Sequence, residues 1–205
     1  METKIPISLD ALADFKRAGM AILGALPNRA FGEPATLKTP ERFAKMLAEQ
    51  LEGEFVTNEQ IAEMFNVTFD YEIDEDNIGS HSWVVVKDIP CFSHCEHHIA
   101  LMYNMKVTIG YIPEDKILGL SKFARIVEIV SHRLQTQEKM GKDILEILQI
   151  ILGEDIPIVV KISGEHSCMT ARGIKKPGSV TKTIHTSHQV GFNLLQSFNF
   201  ALEEK

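Results

Sequence analysis

Near residue 67 the apolar period of this 205-residue chain changes from helical to alternating, and that change limits the folds open to it. Before the change, Ser8 can cap a helix with Leu12, Phe15, Ile22, Leu23 and Leu26 on one face, ended by Pro27-Asn28-Arg29. Thr39-Pro40-Glu41 combines a capping hydroxyl, a proline at N1 and a first-turn acid. Phe43, Met46, Leu47 and Leu51 then form a stripe, with Gly53 as its stop. Thr57-x-x-Gln60 is a capping box for a short helix to Phe65. After the change, Val67, Phe69, Tyr71 and Ile73 alternate as a strand, an acidic turn covers 74–77, and a second strand is expected at 83–86. Residues 99–103 and 106–112 read as a hairpin around Asn104. Two helices follow. Ser121 caps the first, with Phe123, Ile126, Val127 and Val130 inward; the second carries Met140, Ile144, Ile147, Leu148 and Ile151 and ends at Gly153. Strands at 157–162 and 179–184 and a helix from Phe192, with Leu194, Phe198 and Leu202 on one side, complete the chain. The expectation is an α+β fold: a helical segment over 1–66, then β-β-α-α-β-β over 67–205.

A net charge of −7 argues against a basic surface built for nucleic acid, so an anionic substrate needs a local basic cluster. No apolar run reaches the roughly 20 residues that span a bilayer. Residues 1–17 carry no apolar core of a secretion signal. Three cysteines are too few and odd in number for a disulfide framework, and read as reduced thiols in a cytoplasmic protein.

All eight histidines lie between His81 and His188, and all three cysteines lie within that span. The densest cluster runs from Cys91 through His94, Cys95, His97 and His98; Cys168 follows His166 by two residues. Zinc takes thiolate and imidazole, and a Cys-x-x-His pair can bite one ion from a single loop. Cys95, His98 and Cys168 form a Cys2His set whose open fourth position suits catalysis, where a water becomes acidic enough to attack near neutral pH. A closed Cys3His structural site that adds Cys91 is the alternative, and buried free cysteines are the blander one. Ser121, Lys122 and Arg125 open a helix whose N-terminal N–H groups suit a phosphate, or are a capped helix with solvated bases. Gln137-Glu138 at the next helix start either favours the dipole or accepts N–H bonds from a guanine edge. Arg172 to Gly178 is basic and turn-rich, and can be simply a solvated loop.

Thr39-Pro40-Glu41-Arg42-Phe43-Ala44-Lys45-Met46, Cys95-Glu96-His97-His98, Gly119 to Arg125, Gln135-Thr136-Gln137-Glu138 and Glu165 to Gly173 resemble, in order, the motifs of GTP cyclohydrolase I. The likeness extends from about Pro27 to Thr183. It implies the tunnelling fold over 67–205, a homodecamer with active sites at subunit interfaces, and a Zn2+ cofactor on Cys95, His98 and Cys168. It further implies proton transfer by His97 and His166, with Ser121 beside the ribose. Gln137 and Glu138 would bind guanine. Lys122, Arg125 and Arg172 would hold the triphosphate, with Arg42 and Lys45 reaching it from a neighbouring subunit. The implied reaction opens the guanine imidazole ring of GTP, releases formate and yields 7,8-dihydroneopterin triphosphate, for folate, pterin or deazaguanine synthesis. The chain departs from the family over 99–106, after Gly178 and at Asn28 to Gly32. A related purine-ring hydrolase with another product, and a non-catalytic oligomeric zinc-binding regulator, are the rival readings. A structural zinc site needs none of His97, His166 and Glu138, which weighs against the regulator.

Overall fold

The structure, a computed structural model, describes residues 5–26, 36–71 and 82–203. It divides into two compact units, Met1–Val56 and Thr57–Lys205. The expected ending at Pro27-Asn28-Arg29, the variant run at 28–32, the acidic turn at 74–77, Ile73 and His81 lie outside the described residues.

In the first unit, helix α1 (Leu9–Gly24) is capped by Ser8, whose hydroxyl accepts from Ala11 N at 3.1 Å. It packs on α2 (Thr39–Gln50). Gly19 permits the approach, because a Cβ there would meet the Phe43 ring at 3.0 Å and Pro40 Cα at 3.3 Å. The expected α1 stripe is only partly covered, with Ile22 and Leu26 exposed. Thr39 does not cap α2. Lys38 holds that position without a side-chain bond, and Pro40 occupies the first turn. The buried face of α2 is Pro40, Ala44 and Leu47, while Met46 is exposed. Gly53 does not stop the chain's turning, since a short 3-10 helix runs over Glu52–Phe55.

The second unit opens with the capping box as expected: Thr57 Oγ1 accepts from Gln60 N, and Gln60 Oε1 accepts from Thr57 N, starting α3 (Asn58–Phe65). Strand β1 is only Thr68–Asp70, paired antiparallel with β4 (Lys116–Leu118). The main sheet has the order β5-β2-β3-β6-β7, from β2 (Val84–Cys95), β3 (Ala100–Tyr111), β5 (Leu134–Gln135), β6 (Ile158–His166) and β7 (Val180–Thr186). All its pairs are antiparallel except β2 with β5. The α+β class is thus what forms. Two expectations fail here. Residues 99–112 are not a hairpin around Asn104 but one strand, in which Asn104 (φ 51°) sits at a bulge against β6. The hairpin turn is 96–99, between β2 and β3. Strand β2 runs well past the expected 83–86 and carries Cys91 and Cys95.

Helices α4 (Leu120–Ser131) and α5 (Gln137–Leu152) supply the core with Phe123, Ile126, Val127, Met140, Ile144, Ile147 and Leu148, all fully buried. α4 lies on β2, and α5 lies on β6 and β7. Ser121 does not cap α4; Gly119 stands there, and its N–H bonds to Val67 O at 3.0 Å. α5 is capped by Thr136, which accepts from Lys139 N, and closed by Gly153 at φ 126°, a value that suits glycine. Arg133 donates to Asp143 and to Asn58, each at 2.8 Å, fixing α3 to α5. Removing one partner of such a buried pair costs about 3–5 kcal/mol. On the opposite face α7 (Phe192–Glu203) buries Phe198 over Gly110, where no Cβ would fit. Among the described residues no helix is long and apolar enough to cross a membrane.

Candidate active site

Strand register gathers chemistry at one end of the main sheet. Ser93, Met102 and His166 form one row across β2, β3 and β6. Cys95 closes β2, pairs with Ala100 of β3 and lies beside Gln135 of β5. Because β5 ends there, α5 begins there, and Gln137 and Glu138 arrive at the same end. The four-residue helix α6 (Ser167–Thr170) follows β6 and carries Cys168.

The turn 96–99 is tight: His98 N bonds to Cys95 O at 3.3 Å, and Ile99 takes φ 50°. Cys95 is buried, whereas His97 and His98 are exposed. His97 Nδ1 stands 3.6 Å from Cys95 Sγ. Arg172 Nη1 donates to His98 Nε2 at 2.6 Å and so joins the turn to the segment after α6. Among the described residues no three His, Cys, Asp or Glu side chains are arranged to hold a metal ion. Cys95, His98 and Cys168 therefore share one end of the sheet without closing on a point. Their donor chemistry nonetheless fits zinc, which takes thiolate and imidazole ligands. Burial pushes the Cys91 thiol up to about 12; the residue pairs with Met105 inside β2, away from the turn.

The second half is more enclosed. Gln137 is fully buried. Its Oε1 lies 3.0 Å from His166 Nε2, and its Nε2 reaches Ile162 O and Thr181 O at 3.3 Å and Thr183 Oγ1 at 3.2 Å. Glu138 is exposed. Burial lowers the basicity of His166 and of His185, and the Glu138 carboxylate opposes both shifts, so it faces two imidazoles. His185, on β7, is the residue that sequence reading passed over. Its ring fills the space that a Cβ on Gly141 would take, and its buried Nε2 has no hydrogen-bond partner among the described residues. A glycine inside a helix one turn after Glu138 was the available signal.

Glu165 ties the surrounding loops together. Asn104 Nδ2 donates to its Oε1 at 2.9 Å, and Gly178 N donates to its Oε2 at 3.2 Å. The Tyr103 hydroxyl bonds to Thr170 Oγ1 at 2.8 Å and stands 3.4 Å from the same carboxylate. The Asn104 bond is the main reason the Glu165 carboxyl is held below its ordinary range. Asn104 reaches it because the bulge in β3 turns its side chain aside.

Ser121, Lys122 and Arg125 lie in the first two turns of α4. Among the described residues no hydrogen bond or ion pair joins them to the cluster above. Arg42 and Lys45 stand exposed on α2 of the first unit.

This arrangement offers an imidazole braced by a buried amide, with the Glu138 carboxylate acting on it, at the same sheet end as Cys95, His98 and Cys168. The profile of GTP cyclohydrolase I matches residues 16–194. GTP cyclohydrolase 1 of Clostridium botulinum (strain Kyoto / Type A2) is 50% identical over 188 residues, 91% of each chain. That of Clostridium beijerinckii is 52% identical over 161 residues, 78% of this chain and 79% of its own. That of Clostridium acetobutylicum is 48% identical over 182 residues, 87% and 88% respectively. A solved archaeosine synthase QueF-Like in the apo form covers 55% of this chain at 20% identity and a TM-score of 0.40, too weak a likeness to define the fold. A profile match over most of the chain, and relatives half identical along nearly all of it, mean that the chain belongs to the GTP cyclohydrolase I family of hydrolases.

Proposed function

We propose that the protein hydrolyses the guanine imidazole ring of GTP, releases formate and forms 7,8-dihydroneopterin triphosphate. The observation that carries this is the placement of His166, Gln137 and Glu138 at the same sheet end as Cys95, the His97-His98 turn and Cys168. Residues 67–205 would form the catalytic domain, in the tunnelling fold of the family, with α3 supporting α4 and α5. The enzyme is read as a cytoplasmic homodecamer with sites at subunit interfaces. The long, partly exposed edge strand β7 offers free backbone groups for such an assembly.

Cys95, His98 and Cys168 would hold Zn2+. Zinc, when bound, supplies Lewis acidity that activates water. The chain's own residues do the rest. Glu138 accepts from the guanine N1–H and 2-amino group, both absent from ATP. His166, kept neutral by burial, exchanges a proton with the base, and His97 serves the opened ring. Arg172 meets the triphosphate with Lys122 and Arg125. Ser121 sits beside the ribose, and Arg42 and Lys45 approach from a neighbouring subunit.

Incubation of purified protein with GTP, followed by oxidation, should give pterin fluorescence. ATP should give none and GMP little, because one lacks the donors and the other the charge. A non-fluorescent ring-opened product would favour the related hydrolase, and no change in GTP the non-catalytic regulator.

A further inference from the structure

Gln137 was expected to touch guanine, but its buried amide is wholly occupied by the protein. The orientation of a glutamine amide is decided by its partners. Here the nitrogen faces two backbone carbonyls, Ile162 O on β6 and Thr181 O on β7, as well as Thr183 Oγ1. A flip would set Oε1 against both carbonyl oxygens, leaving two buried acceptors facing a third, a costly arrangement. Oε1 therefore points at His166 Nε2, 3.0 Å away. A carbonyl oxygen only accepts, so the imidazole proton must sit on Nε2. A neutral imidazole carries one N–H, which leaves Nδ1 as the bare lone pair.

We infer that Gln137 is a positioning residue: it makes no contact with the base, and it locks His166 in the Nε2–H tautomer so that proton exchange with the substrate occurs at Nδ1 alone. In each cycle Nδ1 gains or loses one proton while Nε2–H stays on Gln137. The anchors are two strands of the sheet, so the tautomer is set before substrate binds. Gly164, one residue short of Glu165, lies alongside: a Cβ there would meet Met105 Cγ at 2.7 Å and make ordinary contact with Gln137 Oε1 at 3.6 Å. The inference rests on the catalytic role given to His166 above, but its tautomer half does not.

The test has two arms, on the full zinc-supplemented chain. In the first, 15N-histidine labelling reads both ring nitrogens of His166, assigned by comparison with His166→Asn. The expected spectrum has a protonated, pyrrole-type Nε2 and a pyridine-type Nδ1. Gln137→Met, similar in size but without an acceptor oxygen, should lose that single tautomer. A wild-type Nδ1–H tautomer, or an unchanged tautomer in Gln137→Met, overturns the inference whether or not GTP is a substrate. In the second arm, Gln137→Met should lower kcat about 10–100-fold, as loss of an imidazole-orienting partner does, with KM for GTP changed little. A raised KM with kcat intact, or admission of ATP, would make Gln137 a base reader and sink the inference. If wild-type protein leaves GTP unchanged, the proposed activity fails and the spectrum alone decides the tautomer.

Discussion

The two halves of the site are built differently. Around Gln137 and His166 the side chains are fixed from behind by strand carbonyls and a buried amide. Around Cys95 and His98, a buried thiol at the end of β2 meets histidines on the exposed turn 96–99, with His97 beside Cys95 and Arg172 bonded to His98. One half is complete as folded. The other carries thiol and imidazole donors that do not converge among the described residues. Fixed groups suit proton transfer and base recognition, where misplacement by about 1 Å is expensive.

The sharpest way to break this comparison is to remove a donor. Cys95→Ser or Cys168→Ser should abolish zinc binding and turnover together, by metal analysis and assay, while leaving the His166 tautomer intact. Cys91→Ser should keep zinc, because that thiol lies within β2 opposite Met105, away from the turn. Loss of zinc in Cys91→Ser would restore the closed Cys3His site. Next in size are the imidazoles. His166→Ala and His97→Ala should each lower kcat by about 10²–10⁴ with zinc retained. If either variant lost GTP affinity instead, the two halves would share binding rather than divide the labour.

The sequence made some of this legible and hid the rest for identifiable reasons. The Thr57–Gln60 capping box and the Gly153 stop were readable because a cap is local, a side chain bonding its own backbone neighbours. Cys95, His98 and Cys168, the proposed metal donors, and the Gln137-Glu138 pair stood out as residue types in motif spacing. The continuous β3 was not, because the bulge at Asn104 shifts which residues face inward and so imitates a turn. Ser121 looked like a cap because nothing in the sequence tells that Gly119 is tied to Val67 in the 3.0 Å bond that starts α4. The occupation of the Gln137 amide was invisible for the same reason: its partners lie 25 to 46 residues away on two strands. The place of His185 against Gly141 likewise appears only when α5 is laid on β7.

Glu165 tests whether the exposed half is as loose as it looks. Its carboxylate links the β3 bulge to the loop after Arg172 through Asn104 and Gly178. Glu165→Ala should raise KM for GTP about tenfold, with a smaller effect on kcat, because Arg172 would be less well placed. Asn104→Gly keeps a left-handed backbone without strain and removes only the amide, so it should reproduce part of that change. If both variants behave as wild type, the loop is positioned by the triphosphate or by a neighbouring subunit.

The smallest expected effect is on stability and belongs to the enclosed half. Burial lowers the proton affinity of His185, with Glu138 opposing, and acts in the same direction on His166 and on His94, where the neighbouring His132 adds to it. An imidazole harder to protonate when folded binds fewer protons in the native state than in the unfolded chain. Stability therefore rises with pH in that range. The contribution is whole above the ordinary imidazole value of 6.5 and is lost as pH falls through the lower folded values. The carboxylates held low, Glu41, Glu59 and Glu165, lose their contribution only below their ordinary 4.5, so a scan from pH 7.5 to 5.5 isolates the histidines. The thermal midpoint should fall across that scan. His185→Asn, which fills similar space and cannot titrate, should have a shallower slope. Cys95→Ser, whose change lies at the end of β2 beside the turn, should keep the wild-type slope. An unchanged slope in His185→Asn would mean that the enclosed half takes up protons without strain, and the contrast between the two halves would then hold for geometry but not for charge.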